Sequence, residues 1–354
     1  MFDMRKSWWK ILGVLLLLYV HIFGLLMPLK PGIYSVYPGK AITGSTAVIN
    51  IQGYNTNFDK ESDKIKAWLK LDESFSLKAS RIEVVNAINL KATFDIPNQF
   101  PVEGKIQTFT MVLDHLTDGF CVTPSAVTVT QPSDLAQLNA NAWTQNPIQN
   151  LTLVKKFNFP FRNILYETIR NVYFHVSLWL AMMILFIASV VMSFKHLRTG
   201  KAEYDWKSHS LTASGTLFGF LGLFTGMIWA QYTWGTFWPK NEVKLNMTAI
   251  ALLIYLAYFV LRGSLDNPEK RGRIAAVYNI FAFAALIPLL YVVPRLTSSL
   301  HPGNGGNPAF GSDDLDNTMR AVFYPAVIGW TLLGVWMGSI MYRTLALKDK
   351  IMSR

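Results

Sequence analysis

The chain has 354 residues, 51% of them hydrophobic and only 16% charged. A soluble protein carries about 25% charged residues, so a wholly water-soluble globule is excluded. The net charge of +11 lies in short runs beside apolar stretches, which marks membrane orientation and not a nucleic-acid-binding face, while the single cysteine, Cys121, excludes an intramolecular disulfide, a CxxC redox pair and a CxxCH attachment site.

A membrane span needs about 20 mostly apolar residues. Residues 8–29 form the first candidate. Their apolar run exceeds that of a signal peptide, and no A-x-A site follows, so a retained anchor is expected. Next comes a polar region in which short runs alternate apolar and polar residues: 47–51, 65–71, 92–96, 106–113 and 126–130. Turn pairs such as Pro38-Gly39 and Pro97-Asn98 separate them. Strands at this spacing predict an antiparallel sandwich of immunoglobulin type, with Cys121 in its core. Residues 137–150, rich in Asn and Gln, read as a linker back to the membrane. Five further spans follow, at 172–194, 211–230, 247–261, 274–293 and 321–344. No span interior is expected to carry the paired charges of an ion path, which disfavours an ordinary transporter.

The expected architecture is an all-α polytopic membrane protein with six transmembrane helices and a β-sandwich inserted between helices one and two. Residues 1–34 form the N-terminus and first helix, 35–150 the sandwich, and 151–354 a five-helix membrane core. Arg and Lys near span ends set orientation. Arg5, Lys6 and Lys10 share a side with Lys195, Arg198, Lys201 and Lys207, with Arg262, Lys270, Arg271 and Arg273, and with Arg343, Lys348, Lys350 and Arg354. That side is the cytoplasm. The opposite loops are poorer, with Lys240 and Lys244 in one and Arg295 and Arg320 in the other. The protein is therefore expected in the inner (cytoplasmic) membrane, with both termini on the cytoplasmic side and residues 35–165 on the extracytoplasmic side.

The expected outer loop after span three, residues 225–241, holds Trp229, Tyr232, Trp234, Phe237 and Trp238 within ten residues. An interfacial aromatic belt is one reading. A belt spreads over all spans, however, whereas this cluster sits in one loop around Gly235, where backbone can approach a flat ligand closely. Aromatic faces suit a planar, apolar, polarisable ligand. Among the six histidines, His175 and His301 are expected on the same outer face. Two such side chains meet the need of haem iron for axial imidazoles, although a lone boundary histidine is more often structural. Arg170, Lys240, Lys244 and Arg320 near that face could pair with propionates or equally with lipid phosphates. His21 reads as a helix contact, His115 as a surface residue, and His196 and His209 as parts of a cytoplasmic loop. Residues 302–307 are glycine-rich but lack the GK[ST] of a P-loop. Asp313, Asp314 and Asp316 lack EF-hand spacing.

These motifs together resemble the CcmC haem-handling family of the cytochrome c maturation system, over about residues 165–350. Arg170-Asn171-Val172-Tyr173-Phe174-His175-Val176 resembles the family's RIxYxHVP. Trp229 with Trp234-Gly235-Thr236-Phe237-Trp238 resembles its IWGxxxWGTWW, Leu300-His301-Pro302-Gly303 its LHQG, and Asp316-Asn317-Thr318-Met319-Arg320 its DPAMR. The resemblance implies that His175 and His301 are axial haem ligands and that the tryptophan segment is the haem platform. Haem, held non-covalently and transiently as a b-type group, would pass to a membrane-anchored carrier of CcmE type. A small helper subunit and ABC transporter subunits are the other implied partners. The chain departs from the pattern at Pro239-Lys240-Asn241, where the family ends in WxWD, at Lys244, where it has Arg, and at Ser177, where it has Pro. The polar region has no counterpart in the shorter members. Competing readings are a cytochrome c synthetase subunit that attaches haem directly, and a membrane-anchored adhesion or sensor module.

Overall fold

The computed structural model describes residues 4–132, 140–144, 148–154, 156–163, 165–297, 299–301 and 315–352. Two compact units emerge. One comprises Met1–Met27 with Glu167–Arg354, the other Pro28–Tyr166.

The first unit is helical: α1 (Met4–Leu26), α3 (His175–Thr199), α4 (Ala202–Trp234), α5 (Val243–Gly263), α6 (Pro268–Ile287) and α7 (Asn317–Met352). Among the described residues six helical segments are long and apolar enough to cross a membrane. Their boundaries follow local chemistry. The Asn267 side chain accepts from the Lys270 amide, and Pro268 occupies the first turn of α6, a start that satisfies one orphan N–H and wastes none. A π-helical turn, Pro288–Val292, and a 3-10 turn, Val293–Arg295, extend α6.

Helix α4 begins nine residues before the expected span and carries Asp205 and His209 out of the predicted loop. The reason is tertiary. Asp205 accepts two hydrogen bonds from the Arg262 guanidinium of α5, at 2.7 and 2.6 Å, so paired charges do lie inside these helices. Deeper in the bundle, Asn279 of α6 donates to Ser189 and Ser193 of α3, and Thr212 of α4 donates back to it at 3.3 Å. Such buried polar contacts join helices where lipid removes the hydrophobic drive between them.

The second unit is β-rich, with strands β1 (Gly32–Tyr37), β2 (Lys40–Ile42), β3 (Thr46–Tyr54), β4 (Lys66–Lys70), β5 (Ser76–Lys78), β6 (Arg81–Asn86), β7 (Asn89–Asp95), β8 (Ile106–His115) and β9 (Gly119–Thr130). One sheet has the order β1-β3-β7-β6, the other β2-β9-β8-β4-β5. All pairings are antiparallel except β2 with β9. The five expected runs coincide with β3, β4, β7, β8 and β9, those at 65–71 and 92–96 reaching one residue past the strand ends. Strand β6 was hidden because its alternating face is charged, and β2 and β5 are only three residues long. One core joins both sheets, and Ile49, Phe94, Phe109 and Leu113 are within it. Burying each such side chain stabilises by roughly 1.5–3 kcal/mol. Cys121 is in this core, as expected.

Residues 137–150 are not simply a linker. Part of the segment forms the short helix α2 (Ala140–Thr144), whose Trp143 is fully buried and stacks on Phe109 at 5.0 Å. Its indole N–H donates to the Gln99 carbonyl at 2.8 Å. Polar neighbours masked that anchor in the sequence.

Candidate functional site

His175 is the first residue of α3, so its ring lies at the end of a span. Its Nδ1 sits 2.8 Å from the Gly222 carbonyl of α4 and 3.3 Å from Thr225 Oγ1. A carbonyl only accepts, so Nδ1 carries the proton and Nε2 keeps its lone pair, the tautomer that can bind a metal. Gly226 lets the helices approach this closely. A Cβ there would come within 2.7 Å of His175 Cε1.

His301 meets His175 from the segment after α6. The ring centroids are 6.2 Å apart. Two metal–imidazole bonds of about 2 Å each would set the centroids of rings sharing one ion about 6 Å apart, so this pair fits a shared iron. Among the described residues no group of three or more His, Cys, Asp or Glu is poised for a metal ion. Two imidazoles suit a metal whose other ligands come from a macrocycle. Trp229 lies 6.1 Å from the His301 ring and packs edge-on to Trp234 at 5.0 Å. Both tryptophans belong to the last turns of α4, not to a loop, which corrects the expected loop bounds. The helix stops at Gly235, where φ is +75° and the amide bonds back to the Gln231 carbonyl.

Sequence reasoning missed Glu242, which is 2% exposed. Its carboxylate caps α5 by accepting from the Lys244 amide. It also accepts from Ser299 Oγ at 2.5 Å and from the Leu300 amide at 2.9 Å, fixing the residues beside His301. The only clue in the sequence was an acidic residue just before an apolar run, an ordinary helix-cap signal. Lys244, the second residue of α5, brings its Nζ to 3.2 Å from His301 Nδ1.

The other expected site residues lie apart from this cluster or at its rim. Trp238 donates to Asn246 Oδ1 at 3.0 Å, and Asn246 donates to the Lys240 carbonyl. Phe237 and Lys240 are exposed. Arg170 is engaged with the Gly24 carbonyl of α1 and with Glu167. Arg320 donates to Asn317 at 3.3 Å. Asp316 caps α7 by accepting from the Met319 amide. Residues 302–307, Asp313 and Asp314 lie outside the described residues.

Three other histidines depart from expectation, and His21 does not. His115 is fully buried, held by Asp118 at 2.9 Å and the Lys60 carbonyl at 2.6 Å. Hydrogen bonding at both ring nitrogens makes burial tolerable. His196 is buried against the Lys201 carbonyl, and His209 lies within α4 beside Tyr258. His21 packs edge-on to Phe174, a helix contact.

A model of the CcmC family, described as heme exporter protein C, matches residues 153–354. The chain is 27% identical over 191 residues to heme exporter protein C of Bradyrhizobium diazoefficiens, covering 52% of this chain and 70% of that protein. It is 24% identical over 177 residues to the Paracoccus denitrificans protein of the same description, covering 50% and 73%. With the Haemophilus influenzae protein it shares 24% over 135 residues, covering 38% and 54%.

Proposed function

This chain belongs to the CcmC family, heme exporter protein C, and from that premise we propose that it binds haem between His175 and His301 and delivers it for cytochrome c maturation. One observation carries the reading: the two imidazoles, 126 residues apart in sequence, lie 6.2 Å apart beside Trp229.

In this reading the haem is the cargo. Its iron is taken by the two imidazoles, and His175 already presents the required tautomer. Trp229 and Trp234, with Gly235, Phe237 and Trp238 at the helix end, form the surface for the porphyrin face. Lys240, Lys244, Arg170 and Arg320 supply the cations at that membrane face for the propionates. With no CxxCH motif in the sequence and Cys121 buried in the β core, b-type, reversible binding suits delivery better than catalysis. The recipient is a haem carrier of CcmE type, with a small helper subunit and ABC transporter subunits as further partners.

The basic residues at one set of span ends support an orientation with both termini in the cytoplasm and residues 35–165, together with the haem site, outside the inner membrane. We read the inserted domain, residues 35–150 in our sequence division, as an immunoglobulin-type sandwich. Its strand order supports this: β1-β3-β7-β6 corresponds to the ABED sheet, and β9-β8-β4 to GFC, with β2 and β5 added at the edges.

The test is a haem spectrum of the purified membrane protein. His175→Ala and His301→Ala should each lower haem retention and shift the Soret band. Unchanged spectra in both single variants would reject the axial assignment.

A further inference from the structure

The two candidate ligands are held by chemically opposite partners. At His175 the partner of Nδ1 is a carbonyl, which can only accept. At His301 the partner of Nδ1 is Lys244 Nζ, at 3.2 Å. An ammonium can only donate. A neutral imidazole whose Nδ1 accepts a hydrogen bond carries its proton on Nε2, and a protonated Nε2 has no lone pair for a metal. The same nitrogen that is open at His175 is therefore closed at His301.

We propose that Lys244 is a latch on the second haem ligand, holding His301 in the tautomer that does not bind iron until a haem propionate draws the ammonium away. This deepens the haem reading and rests on it. The exchange balances without any further reactant. The ammonium leaves His301 Nδ1 for a carboxylate on the incoming haem, a stronger charge-assisted partner. The imidazole then gives its Nε2 proton to water and takes one from water at Nδ1. Its Nε2 lone pair becomes available to iron, and the ring stays neutral throughout. Handing haem onward reverses the sequence.

The geometry favours a latch over a chance contact. Glu242 fixes both halves of it. The same carboxylate caps the helix that carries Lys244 and holds Ser299 and Leu300, the two residues before His301. The lysine and the histidine thus share one anchor, and their separation is built into the segment. Lys244 is a positioning residue in this scheme, since it acts on the iron only through His301.

The consequence is a division of labour. His175 binds first and needs no rearrangement. His301 joins only for a ligand that bears a carboxylate near the porphyrin edge, which selects haem over uncharged porphyrins and leaves the second bond weak enough to release.

Two measurements test this. The first needs no haem. Protein labelled with 15N-histidine, in detergent, should show His175 as the Nδ1–H tautomer and His301 as the Nε2–H tautomer, each assigned by loss of its signals in the Ala variant. Lys244→Met should move His301 toward Nδ1–H, and Lys244→Arg, which keeps a donor, should not. A wild-type His301 already in the Nδ1–H form, or one unmoved by Lys244→Met, overturns the latch. The second compares haem with its dimethyl ester. The wild-type protein should give a six-coordinate, low-spin spectrum with haem but a largely high-spin one with the ester. Lys244→Met should give low-spin spectra with both, and speed haem release about tenfold, because the bound haem loses one charged hydrogen bond at its propionate. Equal ligation of haem and ester by the wild-type protein also overturns the latch. Failure of every variant to bind haem would instead reject the haem reading, while the haem-free spectra would still decide which tautomer Lys244 imposes.

Discussion

Glu242 is the residue on which the site's order depends most. It is a buried carboxylate with three hydrogen bonds, one to each of Lys244, Ser299 and Leu300. Glu242→Gln keeps the shape but removes the charge, and an amide cannot accept at both positions. Hydrogen bonds to a charged group contribute about 1.5–3 kcal/mol, so the variant should loosen the His301 segment while leaving His175 in place. The expected outcome is haem bound mainly through one histidine, seen as a rise in the high-spin signal with normal membrane insertion. A spectrum identical to that of the wild-type protein would mean that the His301 segment is ordered by other contacts. The two histidines stood out in the sequence because topology puts the start of span two and the loop between spans five and six on one face. Glu242 was not, since nothing local distinguishes a carboxylate that caps a helix from one that also anchors a segment more than fifty residues away.

At the scale of the element, the helix ends carry most of what the sequence hid. Hydropathy located the apolar centres of α4 and α5, but it stopped short of Asp205 and Arg262, because charged residues lower the local average. In the bundle these two neutralise each other through a paired hydrogen bond, and both side chains are 9% exposed. Removing one partner leaves a buried charge unpaired, at a cost of about 3–5 kcal/mol, whereas replacing both with apolar residues is often neutral. Asp205→Asn should therefore lower the unfolding temperature in detergent markedly. The double variant Asp205→Leu, Arg262→Met should recover most of the loss. Additive losses would show that the two side chains do not act as a pair. The same limit of local reading explains the aromatic segment. Tryptophan density marked it as unusual, but whether Trp229 and Trp234 were on a loop or a helix depended on Gly235, where the chain leaves α4 with positive φ.

For the molecule as a whole, the β-rich unit Pro28–Tyr166 should fold alone, since it has its own core, and Cys121 reports on it. Burial, with Asp118 and Asp114 adding to it, pushes this thiol up to about 12. An unfolded cysteine titrates near 8.5. The unfolded chain therefore loses its proton first, and the thiol's stabilising share is complete below about pH 8 and declines as pH rises toward 12. Residues 28–166 expressed alone should give β-type circular dichroism and a cooperative melt. Cys121 should resist alkylation at pH 8 until that melt, and the melting temperature should fall at alkaline pH. A disordered spectrum would refute independent folding. The sequence by itself determined the membrane class, the six apolar spans, the alternating strands and the family, because hydropathy, period and motif are local properties written in neighbouring residues. Only the tertiary structure decided that Trp143 belongs to the β core, that His115 is buried, and that Glu242 and Lys244 converge on His301. Each of these depends on which distant groups meet, and hydrogen-bond complementarity and packing settle that once the chain has folded.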